Sequence, residues 1–320
     1  MALNWEDLGG SIYANPKLSE EAEFISTQMM RMKDLTVPAG NMALGLNNGD
    51  SVGIKLWGRI SGVATTALTE SVRVPMATPP EYTVSATVYQ RGIAVPWTKY
   101  REDLDRLGVE DVVVHSLNEH SARTHNTLIY NEAVAGRSFC YSATSGTAGT
   151  FTTNGTPSGT AASNLNGFHV RNIVKNLKKN NVPFADGNNY LAAVSPSSMM
   201  GLFDDSTAVN GFVDVAKYTS QADGLLNGEV GKYFNVRFIE DNQVIPDNIG
   251  SSSLYGSGFV VGLDAIREIV ARPMELLANM NLGGDFLRQK AIAWLSVLTY
   301  KAVWNHTSHG EGRICHITTA

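Results

Sequence analysis

Three histidines, His115, His120 and His125, stand with Glu119 in one proline-free stretch of the chain. Imidazoles plus a carboxylate are a zinc donor set, provided that they converge on one ion. On a helix they do not. His115 and Glu119 are one turn apart, but a five-residue step rotates the chain by about 140° at 3.6 residues per turn, so successive histidines face different ways. The string also lacks the HExxH and HxxEH spacings of zinc proteases. These residues read as solvated or hydrogen-bonded helix histidines.

A second group, His306, His309, Cys315 and His316, gathers imidazole and thiol near the end of the sequence. Its spacing fits no zinc template, and a flexible terminal segment with incidental histidines is the plainer reading. Gly256, Gly258 and Gly262 sketch a glycine-rich loop without dinucleotide spacing or a surrounding βαβ unit. Ser195 precedes Pro196, which suits a helix cap followed by the first helical residue, and no G-x-S-x-G elbow is present. No catalytic, cofactor or metal residue is assigned, and the chain is read as a non-enzyme. Arg171, Lys175, Lys178 and Lys179 form one face of an amphipathic helix whose other face carries Val170, Ile173, Val174 and Leu177. That basic row is either a solvated face or a local contact for phosphates.

The elements that position these residues follow from periodicity. Residues 1–50 mix single apolar residues with Gly40, Gly45, Gly49, Pro16 and Pro38, and only Ser19 to Lys33 resembles a helix. This reads as an arm. Val52, Ile54 and Leu56 then alternate with Lys55, Trp57 and Arg59, and alternation returns in Tyr82, Val84, Ala86 and Val88 and again in Ile93, Val95 and Trp97. The pattern predicts an extended hairpin over 51–97. Thr98 caps the next element, and a long helix is expected over 109–135 with Val113, Leu117, His120, Thr124 and Leu128 as its buried stripe, supported by Glu102–Arg106 and Glu119–Arg123 pairs. Residues 142–163 are almost all Ser, Thr, Gly, Ala and Asn, with Asn154-Gly155 as the clearest turn signal, and read as an exposed insertion or a hairpin. Tyr190 to Val194 reads as a buried strand. Ala265–Ala278, Lys290–Trp304 and Arg313–Thr318 read as β-rich, although the first two also pass as helix.

The chain has 320 residues, a formal net charge of -5 and only 17% charged residues. Average proteins carry roughly 25%. Low charge suits a surface packed against neighbours, and the acidic balance disfavours a dedicated nucleic-acid binder. Cys140 and Cys315 lie too far apart in sequence to suggest a disulfide framework; they read as buried or inert thiols in a reducing compartment. The start, Met1 to Asp7, resembles no secretory signal, and the apolar run Ala291–Thr299 is too short to span a bilayer, so no membrane is expected.

The block Ala86-Thr87-Val88-Tyr89-Gln90-Arg91-Gly92-Ile93-Ala94-Val95-Pro96-Trp97-Thr98 leading into the long helix resembles the tailed-phage major capsid fold of the HK-ninety-seven type, within it the N4-like podophage group. The resemblance continues in Tyr190-Leu191-Ala192-Ala193-Val194-Ser195-Pro196, Gly228-Glu229-Val230-Gly231, Gly262-Leu263-Asp264-Ala265, Arg288 and Trp294 to Tyr300. It implies an α+β fold with an N-terminal arm (1–50), an extended loop (51–97), a peripheral domain on a spine helix (98–184), an axial domain (185–250) and strands returning to the peripheral domain (251–320). It also implies a virion shell of hexamers and pentamers, assembled in the bacterial cytoplasm with portal and scaffolding proteins and a possible decoration protein, that encloses double-stranded DNA and grips it weakly.

An isolated hairpin is marginal in water, and the arm is too sparse in apolar residues for its own core. Both are therefore expected to be completed by adjacent copies, through Trp5, Ile12, Phe24, Met29, Met30, Ile54, Leu56, Trp57, Arg59, Glu70, Arg73, Val84 and Val88. Gly45, Gly49, Gly92 and Gly136 are expected to be flexible joints. The competing classes are an encapsulin-like compartment shell or another non-viral β-rich assembly protein, and a metal-dependent hydrolase.

Overall fold

The structure, a computed structural model, describes residues 13–14, 30–41, 50–58, 60, 67–68, 70, 73–104, 109–153, 155, 161–203, 229–242, 244–245, 256–279, 286, 288–304 and 312–319. In chain order the first strands are β1 (Tyr13–Ala14), β2 (Thr36–Asn41), β3 (Ser51–Trp57), β4 (Glu81–Thr87), β5 (Tyr89–Thr98), β6 (Phe139–Ser145) and β7 (Ala148–Thr152). β8 (Tyr190–Val194), β9 (Glu229–Tyr233), β10 (Val236–Glu240), β11 (Ser257–Val261), β12 (Ile266–Asn279), β13 (Gln289–Ala302) and β14 (Ile314–Thr318) complete the set. The helices are α1 (Lys99–Leu104), α2 (Val109–Ala135), α3 (Gly167–Lys179) and α4 (Pro196–Phe203).

β12 and β13 are strands, which resolves their helix–strand ambiguity. They pair antiparallel from Ile266↔Ala302 to Asn279↔Ala291, interrupted by two irregularities in β12. β5 extends the sheet on β13, while β1 and β2 pair with β12. Ile292, Trp294, Leu298 and Tyr300 alternate along β13 and are all buried, the two-residue repeat of a strand with a covered face.

The second sheet runs β7-β6-β14-β11-β8-β10-β9. β8, β11 and β14 are buried at every residue, as interior strands covered on both faces must be. Tyr190, Ala192 and Val194 pack with Val170, Ile173 and Leu177 of α3. On the opposite face, Leu191 and Ala193 share a cluster with Ile129 and Ala133 of α2. α3 starts where the Asn166 side chain accepts from the His169 N–H at 3.1 Å, a standard N-cap bond. Pro196 opens α4 as expected, whereas the Ser195 hydroxyl accepts from Ser257 N–H at 3.2 Å and so ties helix to sheet.

Several expectations need correction. The hairpin ends at β4, with register Ser51↔Thr87 to Trp57↔Glu81. β5 leaves it to pair with β13 from Tyr89↔Leu298 to Thr98↔Gln289, because a fourteen-residue strand offers a longer ladder than seven-residue β3. On α2, Val113 and Leu117 are buried, but the stripe continues through Asn118, Ser121, Ala122, His125, Asn126, Ile129 and Ala133, not His120, Thr124 and Leu128. An apolar-only pattern misses a stripe whose middle is polar. Glu102 bonds Lys290 at 2.8 Å; Arg106, its expected partner, lies outside the described residues. Cys315 and His316 lie inside β14 and are buried, so the expected flexible tail is a central strand there.

Gly92 and Gly136 are close-approach positions rather than joints. A Cβ on Gly92 would stand 2.3 Å from the Trp294 carbonyl oxygen, and one on Gly136 would stand 2.0 Å from the Ala302 Cβ. Gly45 and Gly49 lie outside the described residues. We expect Gly136→Ala to cost about 1–3 kcal/mol by overpacking. Gly53→Ala, with its nearest neighbour at 3.7 Å, serves as the near-neutral comparison in urea unfolding, and equal midpoints for the two variants would refute the packing role.

Candidate assembly surface

The hairpin has two unlike parts. At its base, Ile54, Leu56, Ala86 and Val88 are buried against Ile269, Val303 and Trp304 of the same chain. The Val88 N–H donates to Asp50 O at 2.9 Å and the Gly58 N–H to Pro80 O at 2.8 Å, which close the ladder at both ends. The Lys55–Glu81 ion pair, 3.0 Å, crosses the solvent face and is well exposed, so it contributes little. Beyond the base the character reverses. Trp57 is 60% exposed and Met76 77%, and Ile60, Leu68 and Val74 are each more than half exposed. Several exposed large apolar groups on one connection make it a candidate interaction surface.

The thirteen expected interface residues thus divide. Ile54, Leu56 and Val88 are buried against Ile269, Val303 and Trp304 of the same chain, and Met30 is buried as well, so none of the four presents a free apolar face to a neighbouring copy. Val84 is partly buried against the same cluster. Trp57, Glu70 and Arg73 are exposed. Trp5, Ile12, Phe24, Met29 and Arg59 lie outside the described residues. Leu68, Val74 and Met76, which belong to no periodic run and were not among the expected residues, join Trp57 as exposed apolar candidates. Sequence reading also missed Tyr89 and Ile93, exposed on β5, at the end of its sheet among the described strands. The signal for the first three was apolar residues in a proline-containing connection, where solvent exposure would otherwise favour polar ones.

The catalytic alternatives can be weighed at their atoms. Among the described residues no three His, Cys, Asp or Glu side chains are grouped to hold a metal ion. His115 is exposed, His120 accepts from Trp294 Nε1–H at 3.2 Å, and His306 and His309 lie outside the described residues. Cys140 Sγ is 3.5 Å from His316 Nδ1, and Ser257 Oγ is 3.2 Å from His316 Nε2. A catalytic pair would need a lowered thiol and a basic imidazole. Burial does the opposite: it raises Cys140 to about 11 and lowers His316 to about 4. The pair is a neutral hydrogen bond in the core. Gly258 is equally structural, since a Cβ there would meet Val194 Cγ1 at 2.6 Å.

His125 is another buried imidazole, beside His316 and His169. Tyr300 donates its hydroxyl to Glu268 at 3.1 Å, which leaves the Tyr300 oxygen to accept from His125 Nδ1–H at 3.2 Å. Burial, then the charges of Lys33 and Arg91, lowers His125 to about 4 from 6.5. For His125 and His316 alike the folded value lies below the unfolded one, so the unfolded chain takes up protons first as pH falls. Stability is full above about pH 6.5 and drains toward pH 4, by about 3 kcal/mol per histidine at roughly 1.4 kcal/mol per pH unit. His125→Gln should remove about half of this pH-dependent loss between pH 6.5 and 4, leaving the His316 part; a profile unchanged from the parent would contradict this assignment.

No protein-family model matches the sequence, and no curated protein matches it. Solved structures do match. The capsid of Ralstonia phage GP4 aligns with a TM-score of 0.62 at 15% identity, covering 87% of this chain and 84% of that one. The head of Helicobacter pylori bacteriophage KHP40 gives 0.61 at 10% identity over 91% and 90%, and the cyanophage Pam1 capsid subunit gives 0.60 at 15% over 86% and 86%. At such identities the likeness is one of fold, and it spans nearly the whole of both chains: this chain has the α+β fold of phage capsid subunits.

Proposed function

We propose that this chain is the major capsid protein of a tailed bacteriophage, a shell subunit that assembles into hexamers and pentamers around double-stranded DNA. The observation that carries the reading is the match of fold over most of the chain and most of the phage capsid subunits, without large unmatched parts on either side. The exposed apolar hairpin tip supports it, because a subunit that remained alone would keep Trp57 and Met76 in water. β5, at the end of its sheet among the described strands, adds the exposed Tyr89 and Ile93. Such a protein works through its interfaces rather than by catalysis and resides in the virion after assembly in the host cytoplasm. Portal, scaffolding and decoration proteins are its expected partners, and the N4-like grouping rests on the sequence resemblance. No specific observation favours an encapsulin-like compartment; nuclease-protected DNA inside particles separates the two.

The hairpin supplies the test. Leu56→Ala, at the buried base, should cost about 2–5 kcal/mol of subunit stability. Trp57→Ala with Met76→Ala should leave the subunit's melting unchanged yet reduce the yield of closed shells at least tenfold in negative-stain micrographs. Shells formed at the parent yield by the tip variant would show that the tip is no contact between copies.

A further inference from the structure

One face of α3 is cationic and unpaired in a chain that is acidic overall. Lys55, Arg237, Arg267, Lys290 and Lys301 each have an internal carboxylate. Arg171, Lys175, Lys178 and Lys179 have no ion-pair partner among the described residues. Arg171, Lys175 and Lys179 are spaced i, i+4, i+8, so they form one row about 12 Å long at 1.5 Å per residue, with Lys178 beside it.

The row borders a cleft of about 360 Å³ lined by Arg171, Val174, Lys175, Lys178, Phe234 and Asn235, with no acidic residue among the described residues of its wall. Phe234 lies in the turn between β9 and β10 with φ of 45°, next to Asn235 at 63°. Non-glycine residues rarely hold this left-handed backbone. Phe234 remains 44% exposed, and the Arg171 guanidinium lies 5.0 Å from the centre of its ring. Arg171 Nε donates to Gly167 O at 3.0 Å, which leaves its terminal amino groups for an outside anion.

The other side of the same sheet is different. The C-terminal half of α2 packs on the opposite face through Ile129 and Ala133, while its N-terminal half, which packs on β12 and β13, exposes Glu110, Asp111 and Glu119 as well as the cation Arg123. The cationic row of α3 is the surface on which a polyanion would find several cations at regular spacing. A regular row of lysine point charges suits a regular line of phosphates better than an isolated carboxylate, which favours a bidentate arginine fork. About 12 Å of duplex axis holds three to four phosphates of each strand, at about 3.4 Å of axial rise per step.

We propose that the α3 face, Arg171, Lys175, Lys178 and Lys179 with the Phe234 rim, contacts the phosphate backbone of packaged DNA without reading its sequence. This deepens the shell reading above and rests on it for the identity of the polyanion. With so few charges the contact is weak at physiological salt, which suits a container that must also release its contents.

The test uses full-length unassembled subunits and a labelled random-sequence 30-base-pair duplex, titrated at several salt concentrations. Four engaged cations predict a log–log salt slope of about -3.6, equivalent to about 150-fold weaker binding between 50 and 200 mM salt. Replacing Lys175, Lys178 and Lys179 with Gln should reduce the slope to about -0.9, whereas replacing the same three with Arg should keep it. The Gln variant should melt as the parent does and still form closed shells. An unchanged slope in the Gln variant, or no duplex binding by the parent at 50 mM salt, overturns the proposal. So does a Gln variant that binds DNA normally but forms no shells, because the face would then belong to contacts between copies. A parent that binds the duplex through these lysines yet never forms shells overturns the shell reading and leaves the cationic face standing as a phosphate-binding surface.

Discussion

The antiparallel ribbon of β12 and β13 is the constraint on which the other parts depend. Its side chains alternate between two faces. One face carries Leu276, Trp294 and Ile292, which pack with Val113 and Leu117 of α2. The other carries Ile269, which packs with Ile54 and Leu56 of the hairpin. A slip of one residue would send both sets to the wrong side, so register is specified from two directions at once. The β5 ladder on β13 then ties the strand after the hairpin to the same frame. A single chain therefore completes its own core, hairpin base included, while the projecting tip stays uncovered.

The attachment of α2 to that ribbon is polar where most helix–sheet contacts are apolar. Asn118, Ser121, His125 and Asn126 are buried along the helix. Asn126 accepts from the Met32 N–H at 3.4 Å, which joins the segment before β2 to the helix, and His125 reaches Glu268 through Tyr300. Within the described residues neither side-chain atom of Asn118 nor Ser296 Oγ has a hydrogen-bond partner. Unmatched buried polar groups cost roughly 1–3 kcal/mol each. The packing of α3 on its sheet is more apolar, with Val170, Ile173 and Leu177 buried and the His169–Tyr141 hydrogen bond, 2.6 Å, as its polar contact.

Much of the frame was legible in the sequence because periodicity reports burial. The α2 boundaries, the buried β8 strand, the apolar face of α3 and the alternation of β3 and β4 follow from residue pattern alone. The failures have physical reasons. The inner stripe of α2 escaped because His125, Asn118 and Asn126 are polar yet buried, and no apolar period points to them. β5 was joined to the hairpin because local alternation cannot reveal that its ladder partner is about 200 residues away in sequence. Apolar hairpin residues were all assigned to neighbours because a sequence does not distinguish the base, which the chain covers itself, from the tip, which it does not. The cationic row was visible at helical spacing, but the cleft beside it depends on Phe234, brought there by the β9–β10 turn.

The division of the hairpin into a self-covered base and a tip awaiting a partner is the central claim, and hydrogen–deuterium exchange on unassembled subunits and on purified particles tests it most directly. Amides of Ile54, Leu56 and Ala86 should be protected in both states, while those of Arg73, Val74 and Met76 should become protected only in particles. Free exchange at the base in subunits, or a tip that exchanges equally fast in both states, would contradict the account.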